Sequence, residues 1–190
     1  MGKVILDITM SLDGYVAGPN ITEANPMGDG GQRLHEWLFG AKTEEAAALL
    51  DDFVKGSGAV IVGGTTYHTT IDGAWEGVSP FAVPAFVLTT HIPTHPRKGF
   101  TFVPAGIERA LAQAKAVAGD QYIWVMGGAH VIQQYLNAGL FDELRVHVAP
   151  VLLGAGRRLF EGVNAHCIQL DNKGVVETPR AVHMVFVPVG

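Results

Sequence analysis

Gln121-Tyr122-Ile123-Trp124-Val125-Met126-Gly127-Gly128-Ala129-His130-Val131-Ile132 joins an apolar run of strand length to two glycines and then to a helical pattern. Val131, Ile132, Tyr135 and Leu136 share one face of that helix, and Asn137-Ala138-Gly139 ends it. A strand that turns into a helix through Gly-Gly aims the free amides of the helix start at whatever lies above the strand end. Glycine lets an anion approach the backbone, and the helix dipole favours its negative charge. Two readings stand side by side here: a seat for the pyrophosphate of a cofactor, or a joint that is glycine-rich for steric reasons alone.

The same arrangement occurs earlier in the chain. Ala59-Val60-Ile61-Val62 is a short apolar strand of the kind found inside a parallel sheet, and Gly63-Gly64-Thr65-Thr66-Tyr67 follows it directly. Before it, Thr43 caps a helix whose first turn holds Glu44 and Glu45 and whose expected buried stripe is Ala46, Leu49, Leu50, Phe53 and Val54. After it come strands at Pro84–Leu88, ending in Thr89-Thr90-His91, and at Phe100–Val103. A helix then buries Ile107, Ala110, Leu111, Ala114 and Val117 and ends at Gly119. Strand and helix alternate, which predicts an α/β sheet with ligands at its C-terminal edge.

The first strand, Val4 to Met10, puts Val4, Leu6, Ile8 and Met10 on one face and Ile5, Asp7, Thr9 and Ser11 on the other. An acid inside a central strand needs partners or a wet cleft. Asp7 either bonds to a nearby backbone turn or lines a polar pocket with Thr9. Ser11 to Asn20 leaves the strand as a turn in which Asp13 can bond to nearby amides. Gly18 to Gln32 is a long polar loop, read as a flap over a cleft. Leu34, Trp37 and Leu38 mark a helical turn. Beyond Gly139 the pattern becomes antiparallel: Leu140–Pro150 alternates, with Leu144, Val146 and Val148 opposite Arg145 and His147. Val151–Phe160 is a glycine-broken loop. Closing strands are expected at His166–Leu170, Val175–Glu177 and Ala181–Val187, with Asn172-Lys173-Gly174 as a turn.

The chain has 190 residues, 48% hydrophobic and only 16% charged, which suits one sheet covered on both faces, without linker or repeat. A net charge of -5 and the lack of a Lys/Arg cluster argue against nucleic acid. Cys167 is the only cysteine, so no internal disulfide forms, which fits a reducing cytoplasm. The N-terminus begins with strand-like Lys3-Val4-Ile5-Leu6 rather than a charged-then-apolar leader, and no apolar run has membrane-spanning length. His91 and His95 have the i, i+4 spacing of helical zinc ligands, but Pro93 and Pro96 forbid a regular helix there; no metal is expected. Gly-x-Ser-x-Gly, Gly-x-Gly-x-x-Gly and P-loop patterns are absent. His130 either touches a phosphate or is a solvated helix-start residue.

Taken together, Ile8–Gly18, Val60–Tyr67, Trp124–Ala129, Ala138–Leu144 and Val148–Gly156 resemble, in order and over nearly the whole chain, the dihydrofolate reductase-like superfamily. The resemblance is to its RibD C-terminal domain branch, the reductase domain of riboflavin biosynthesis. It implies a single α/β domain over 1–190, a dihydrofolate reductase-like three-layer fold with a mixed, mainly parallel sheet, helices on both faces and antiparallel C-terminal strands.

The resemblance further implies NADPH, with NADH not excluded, lying across the C-terminal edge. By position Gly63, Thr65 and Thr66 would hold the diphosphate from one side, and Gly127, Gly128, Ala129, His130 and Val131 from the other. Thr89 would mark the adenosine-phosphate end, and Thr9 and Ala17 would border the nicotinamide. Asp7 and Met126 would meet the substrate, with Asp7 as proton donor or anchor because a buried carboxyl can have a raised pKa. A homodimer built on the strand around Leu144–Pro150 is also implied. The chain departs from the family pattern in three places. Met126 stands where riboflavin-pathway reductases carry an acid, Glu36 is the nearest candidate for the pterin-facing carboxylate of folate reducers, and Gly64 fills a position that is often arginine, for which His91, Arg97 or Lys98 would substitute. The expected activity is a cytoplasmic reductase of a small pterin- or aminopyrimidine-like heterocycle. A non-catalytic member that binds a nucleotide or other small ligand is the alternative.

Overall fold

The computed structural model describes residues 2–40, 43–71, 75–164 and 168–190. Eight strands form one sheet: β1 (Val4–Ser11), β3 (Ser57–Gly63), β4 (Ala85–Leu88), β5 (Phe100–Val103), β6 (Tyr122–Gly127), β7 (Glu143–Ala149), β9 (Leu170–Thr178) and β10 (Ala181–Pro188). Their order is β5-β4-β3-β6-β1-β7-β10-β9. Every neighbouring pair from β5 to β7 is parallel, and β10 runs antiparallel to both β7 and β9. β2 (Tyr15–Ala17) and β8 (Arg157–Arg158) make a separate antiparallel ribbon.

Helices cover both faces, as the composition requires. α4 (Ile107–Ala118) and α5 (Ala129–Ala138) pack on the side of Leu6, Ile61, Val125 and Val146. α3 (Gly64–Thr70) packs on the opposite side with Val60, Val62 and Val87. On that same side a 3-10 turn (Gly31–His35), α1 (Glu36–Phe39) and α2 (Glu44–Gly56) lie toward the β7–β10 end, with Trp37 and Ala46 against Ala181. β3 is buried along its whole length because both its edges are paired and both its faces are covered. Thr43 caps α2 as expected, its Oγ1 accepting from the Ala46 amide at 3.2 Å.

Several expectations are corrected. The segment Leu140–Pro150 begins no antiparallel tail: β7 is the sixth strand of the parallel set and pairs with β1 over seven residues. β7 is enclosed between β1 and β10. Asn172-Lys173-Gly174 is not a turn but part of β9, where the register with β10 shifts between Val185 and Phe186; the reversal lies instead at Pro179-Arg180. Val54 and Val117 are 56% and 52% exposed, and Ala118 takes the inward place on α4. Cys167 and the start of the strand expected at His166–Leu170 lie outside the described residues. No helix among the described residues is long and apolar enough to cross a membrane.

Asp13 fastens the first turn to the loop after β7. Its carboxylate accepts from the Leu153 and Gly154 amides at 3.1 and 2.7 Å and from Ser11 Oγ at 2.5 Å. The Ser11 hydrogen bond, helped by the two amides against some desolvation, holds its pKa down at about 2. The Gly18–Gln32 loop is tied internally, with Asn20 and Asn25 donating to Asp29 at 2.7 and 2.9 Å, and its Ile21, Pro26, Met27 and Gln32 border the cavity described next.

Candidate active site

A cavity of about 1110 Å³ opens over the C-terminal ends of β3, β4, β5 and β6. The two Gly-Gly exits meet in it. A Cβ on Gly63 would stand 3.0 Å from Val131 Cγ2 and 3.5 Å from the Gly127 carbonyl, so the exits are in van der Waals contact only because residue 63 has no side chain. A Cβ on Gly64 would fall 2.6 Å from Thr89 Oγ1, so a side chain here would have to displace Thr89. At the second exit Gly128 caps α5: its carbonyl accepts from the Val131 and Ile132 amides at 3.0 and 3.2 Å. Helix geometry leaves the Ala129 and His130 amides without an intrahelical acceptor. Gly127, at φ 101, is not among the residues that line the cavity, and a Cβ there would meet Ile8 Cδ1 at 3.0 Å.

The other residues assigned to a cofactor fall on this cavity. Thr65, Thr66 and Thr89 line one part, Ala129, His130 and Val131 the facing part, and Thr9 and Ala17 a third. Asp7 and Met126 line it as well. Glu36 is not among the residues that line it, and its carboxylate lies 3.3 Å from the Arg180 guanidinium. Of the cations suggested as replacements for the missing arginine, His91 borders the cavity and Arg97 and Lys98 do not.

The part of the cavity near α2 and β6 is aromatic. Phe53 and Phe81 lie 5.1 and 5.9 Å from the Trp124 ring, and Trp75 packs on Phe81 at 5.5 Å. Trp124 Nε1 and His68 Nε2 are buried there without a hydrogen-bond partner among the described residues. A buried donor of this kind favours a ligand that offers it an acceptor.

Asp7 bonds to no backbone turn. Its Oδ2 lies 2.8 Å from His147 Nε2, on β7. His147 Nδ1 lies 2.7 Å from His183 Nδ1, on β10, and His183 Nε2 lies 3.1 Å from Thr178 Oγ1. Trp37 closes over the pair, its ring 4.7 Å from His147 and 4.8 Å from His183, and its Nε1 donates to Thr9 Oγ1 at 3.2 Å. Burial, reinforced by the His147 charge, pushes His183 down to about 4 and His35 to about 4. Asp7, His35 and His147 all border the cavity. Among the described residues no cluster of three or more His, Cys, Asp or Glu is arranged to hold a metal ion.

Sequence reasoning assigned no role to His35, His147, His183 or Arg157. Strand parity placed His147 on the side opposite Leu144 and Val146, but nothing local indicates that β1 and β10 flank β7 and bring Asp7 and His183 to it. Arg157, the one Lys or Arg among the cavity's described neighbours, arrives through the β2–β8 ribbon from a loop that carried no pattern.

A family model of the RibD C-terminal domain matches residues 2–184. An uncharacterised Bacillus subtilis protein, YwjB, is 28% identical over 187 residues, 97% of each chain. A putative riboflavin biosynthesis protein from Shewanella superposes with a TM-score of 0.75 at 20% identity, covering 99% of both chains. The Thermotoga maritima diaminohydroxyphosphoribosylaminopyrimidine deaminase/5-amino-6-(5-phosphoribosylamino)uracil reductase superposes with a TM-score of 0.67 at 14% identity; 99% of this chain covers 57% of that one. These likenesses show the fold, a mixed α/β sheet of the dihydrofolate reductase-like kind.

Proposed function

The chain belongs to the RibD C-terminal domain family, and on that premise we propose that it is an NADPH-dependent reductase of a small, flat heterocycle. The observation that carries this reading is the contact between the two glycine exits, which turns two strand ends into one cradle. Gly63, Thr65 and Thr66 would hold a diphosphate from one side, and the Ala129 and His130 amides from the other, where helix-start amides favour negative charge. Thr89 would sit at the adenosine end. When bound, the cofactor supplies a hydride. The protein's part is to orient a substrate between Asp7 and the aromatic lobe of Phe53, Phe81 and Trp124, with Trp124 Nε1 donating to a ring acceptor.

Titration of NADPH against tryptophan fluorescence tests the cofactor. Trp37, Trp75 and Trp124 all border the cavity, so saturable quenching and a rise in melting temperature are expected, and NADH run in parallel measures the preference. Neither quenching nor a thermal shift would overturn the reading. A screen of pterins and aminouracils for NADPH oxidation follows, in which Asp7→Asn should keep NADPH binding and lose turnover about 100-fold or more. The apolar Met126 before the glycine pair favours one alternative, a ligand-binding member without catalysis, for which NADPH binds and no substrate in the screen is reduced.

A further inference from the structure

A count of hydrogens along the chain of buried contacts leads past Asp7. Thr178 Oγ1 has one hydrogen and two acceptors within reach, the Ala181 carbonyl at 3.0 Å and His183 Nε2 at 3.1 Å, and it accepts from the Ala181 amide at 3.2 Å. With that hydrogen on the carbonyl, the contact with His183 Nε2 is made by an N–H on His183. His183 is 2% exposed and neutral, so its Nδ1 is then bare and accepts. The 2.7 Å contact between the two Nδ1 atoms thus carries the His147 hydrogen. With Nδ1 protonated, His147 Nε2 faces Asp7 Oδ2 at 2.8 Å, and a bond there needs a further proton between them. It is held as carboxylic acid and neutral imidazole or as carboxylate and imidazolium; either way the pair carries one proton more than a carboxylate beside a neutral histidine.

Resting on the reductase reading above, we propose that the Asp7–His147 pair is the proton donor of the reaction, and that His183 and Thr178 are positioning residues that oblige it to be loaded. Hydride addition to a C=N or C=O bond supplies two electrons and one hydrogen to carbon; the nitrogen or oxygen then takes the proton from the pair. The product is the saturated C–H and N–H or O–H, the pair is left as carboxylate and neutral imidazole, and water returns its proton through the open cavity. The groups that bear on this proton are few. Asp7 faces His147 from β1, His183 from β10 and His35 from the 3-10 turn, while Trp37 above them is neutral. The cation two residues along β7, Arg145, is held by Asp52 at 2.9 Å and Glu143 at 2.5 Å.

Nitrogen-15 NMR of the histidine-labelled full-length protein, without cofactor or substrate, tests the loading directly. At about pH 7, near the ordinary histidine pKa, the expected state has hydrogen on Nδ1 of His147 and on Nε2 of His183. A Thr178→Val variant removes the acceptor of the His183 hydrogen and should lower the midpoint at which the pair releases its proton by about one pH unit or more. Thr178→Ser, which keeps the hydroxyl, should restore it. In NADPH oxidation the valine variant should lose about tenfold in kcat above that midpoint, with KM for NADPH unchanged, and recover at lower pH. The opposite tautomers, Nε2–H on His147 and Nδ1–H on His183, overturn the proposal and leave the reductase reading intact. The expected tautomers in a protein that NADPH neither quenches nor stabilises overturn the reductase reading and with it the use of the proton.

Discussion

Mild acid should weaken this fold through His183. In the folded chain His183 lies under Trp37 and against His147, which brings its pKa from 6.5 to about 4. Its folded pKa is depressed, so the unfolded chain binds the proton first and stability falls as pH drops from the unfolded value toward the folded one. At about pH 5 the unfolded imidazole is protonated by about 1.5 pH units and the folded one is still neutral. At roughly 1.4 kcal/mol per unit, that is a loss of about 2 kcal/mol relative to pH 7. His35 shifts in the same direction, mainly by burial, and adds to the wild-type loss. Replacing His183 by Asn removes the titrating group. It should also cost about 1–3 kcal/mol at neutral pH, because His147 Nδ1 loses its partner. Urea unfolding of wild type and His183→Asn at about pH 7 and pH 5, at one ionic strength, separates the two effects. The wild type should lose about 2 kcal/mol more than the variant over that interval. Parallel losses would refute the argument, because they would mean that His183 is as easily protonated in the folded chain as in the unfolded one.

Two further substitutions probe the frame around the site. Gly64→Ala puts a Cβ 2.7 Å from Thr89 Cβ, so it should destabilise by about 1–3 kcal/mol in urea unfolding and weaken NADPH quenching, whereas unchanged affinity would mean that Thr89 has room to move. Asp13→Ala frees the Leu153 and Gly154 amides, which should then exchange with deuterium faster than in wild type; its carboxylate, held near 2 by Ser11 and those amides, acts above the ordinary value of 3.8 and is lost only as pH falls through about 2, below the His183 window.

The parts of this fold that local pattern decides were legible. β3, β6, α4 and α5 follow from apolar runs and helical periodicity, and the two glycine exits share one local pattern. Where the sequence misled, a distant partner overrode a local preference. Asn172-Lys173-Gly174 has turn chemistry, yet β10 holds it extended at the sheet edge, where a bulge absorbs the extra residue. The parity of β1 did put Asp7 and Thr9 on one polar face, and both border the cavity. It left open what Asp7 bonds to, because that residue is 140 positions away.

The buried histidine pair is a property of register rather than of any motif. His183 stands directly opposite His147, and Thr9 opposite His147 on the other side, so one residue on β7 is flanked by the β1 face that carries Asp7 and by the β10 face that carries His183, next to Thr178 at the end of β9. Side chains alternate along a strand, so a slip of β10 by one residue would turn His183 to the α5 side and bring Val182 or Met184 against His147. Nδ1 of His147 would then have no acceptor, and the ring would be free to take the tautomer that leaves Asp7 a plain carboxylate. The hairpin that fixes β10 is closed by the Thr178–Ala181 hydrogen bonds, and Thr178 Oγ1 also meets His183 Nε2. One short turn therefore ties the strand alignment to the line of contacts that runs from Thr178 to the cavity.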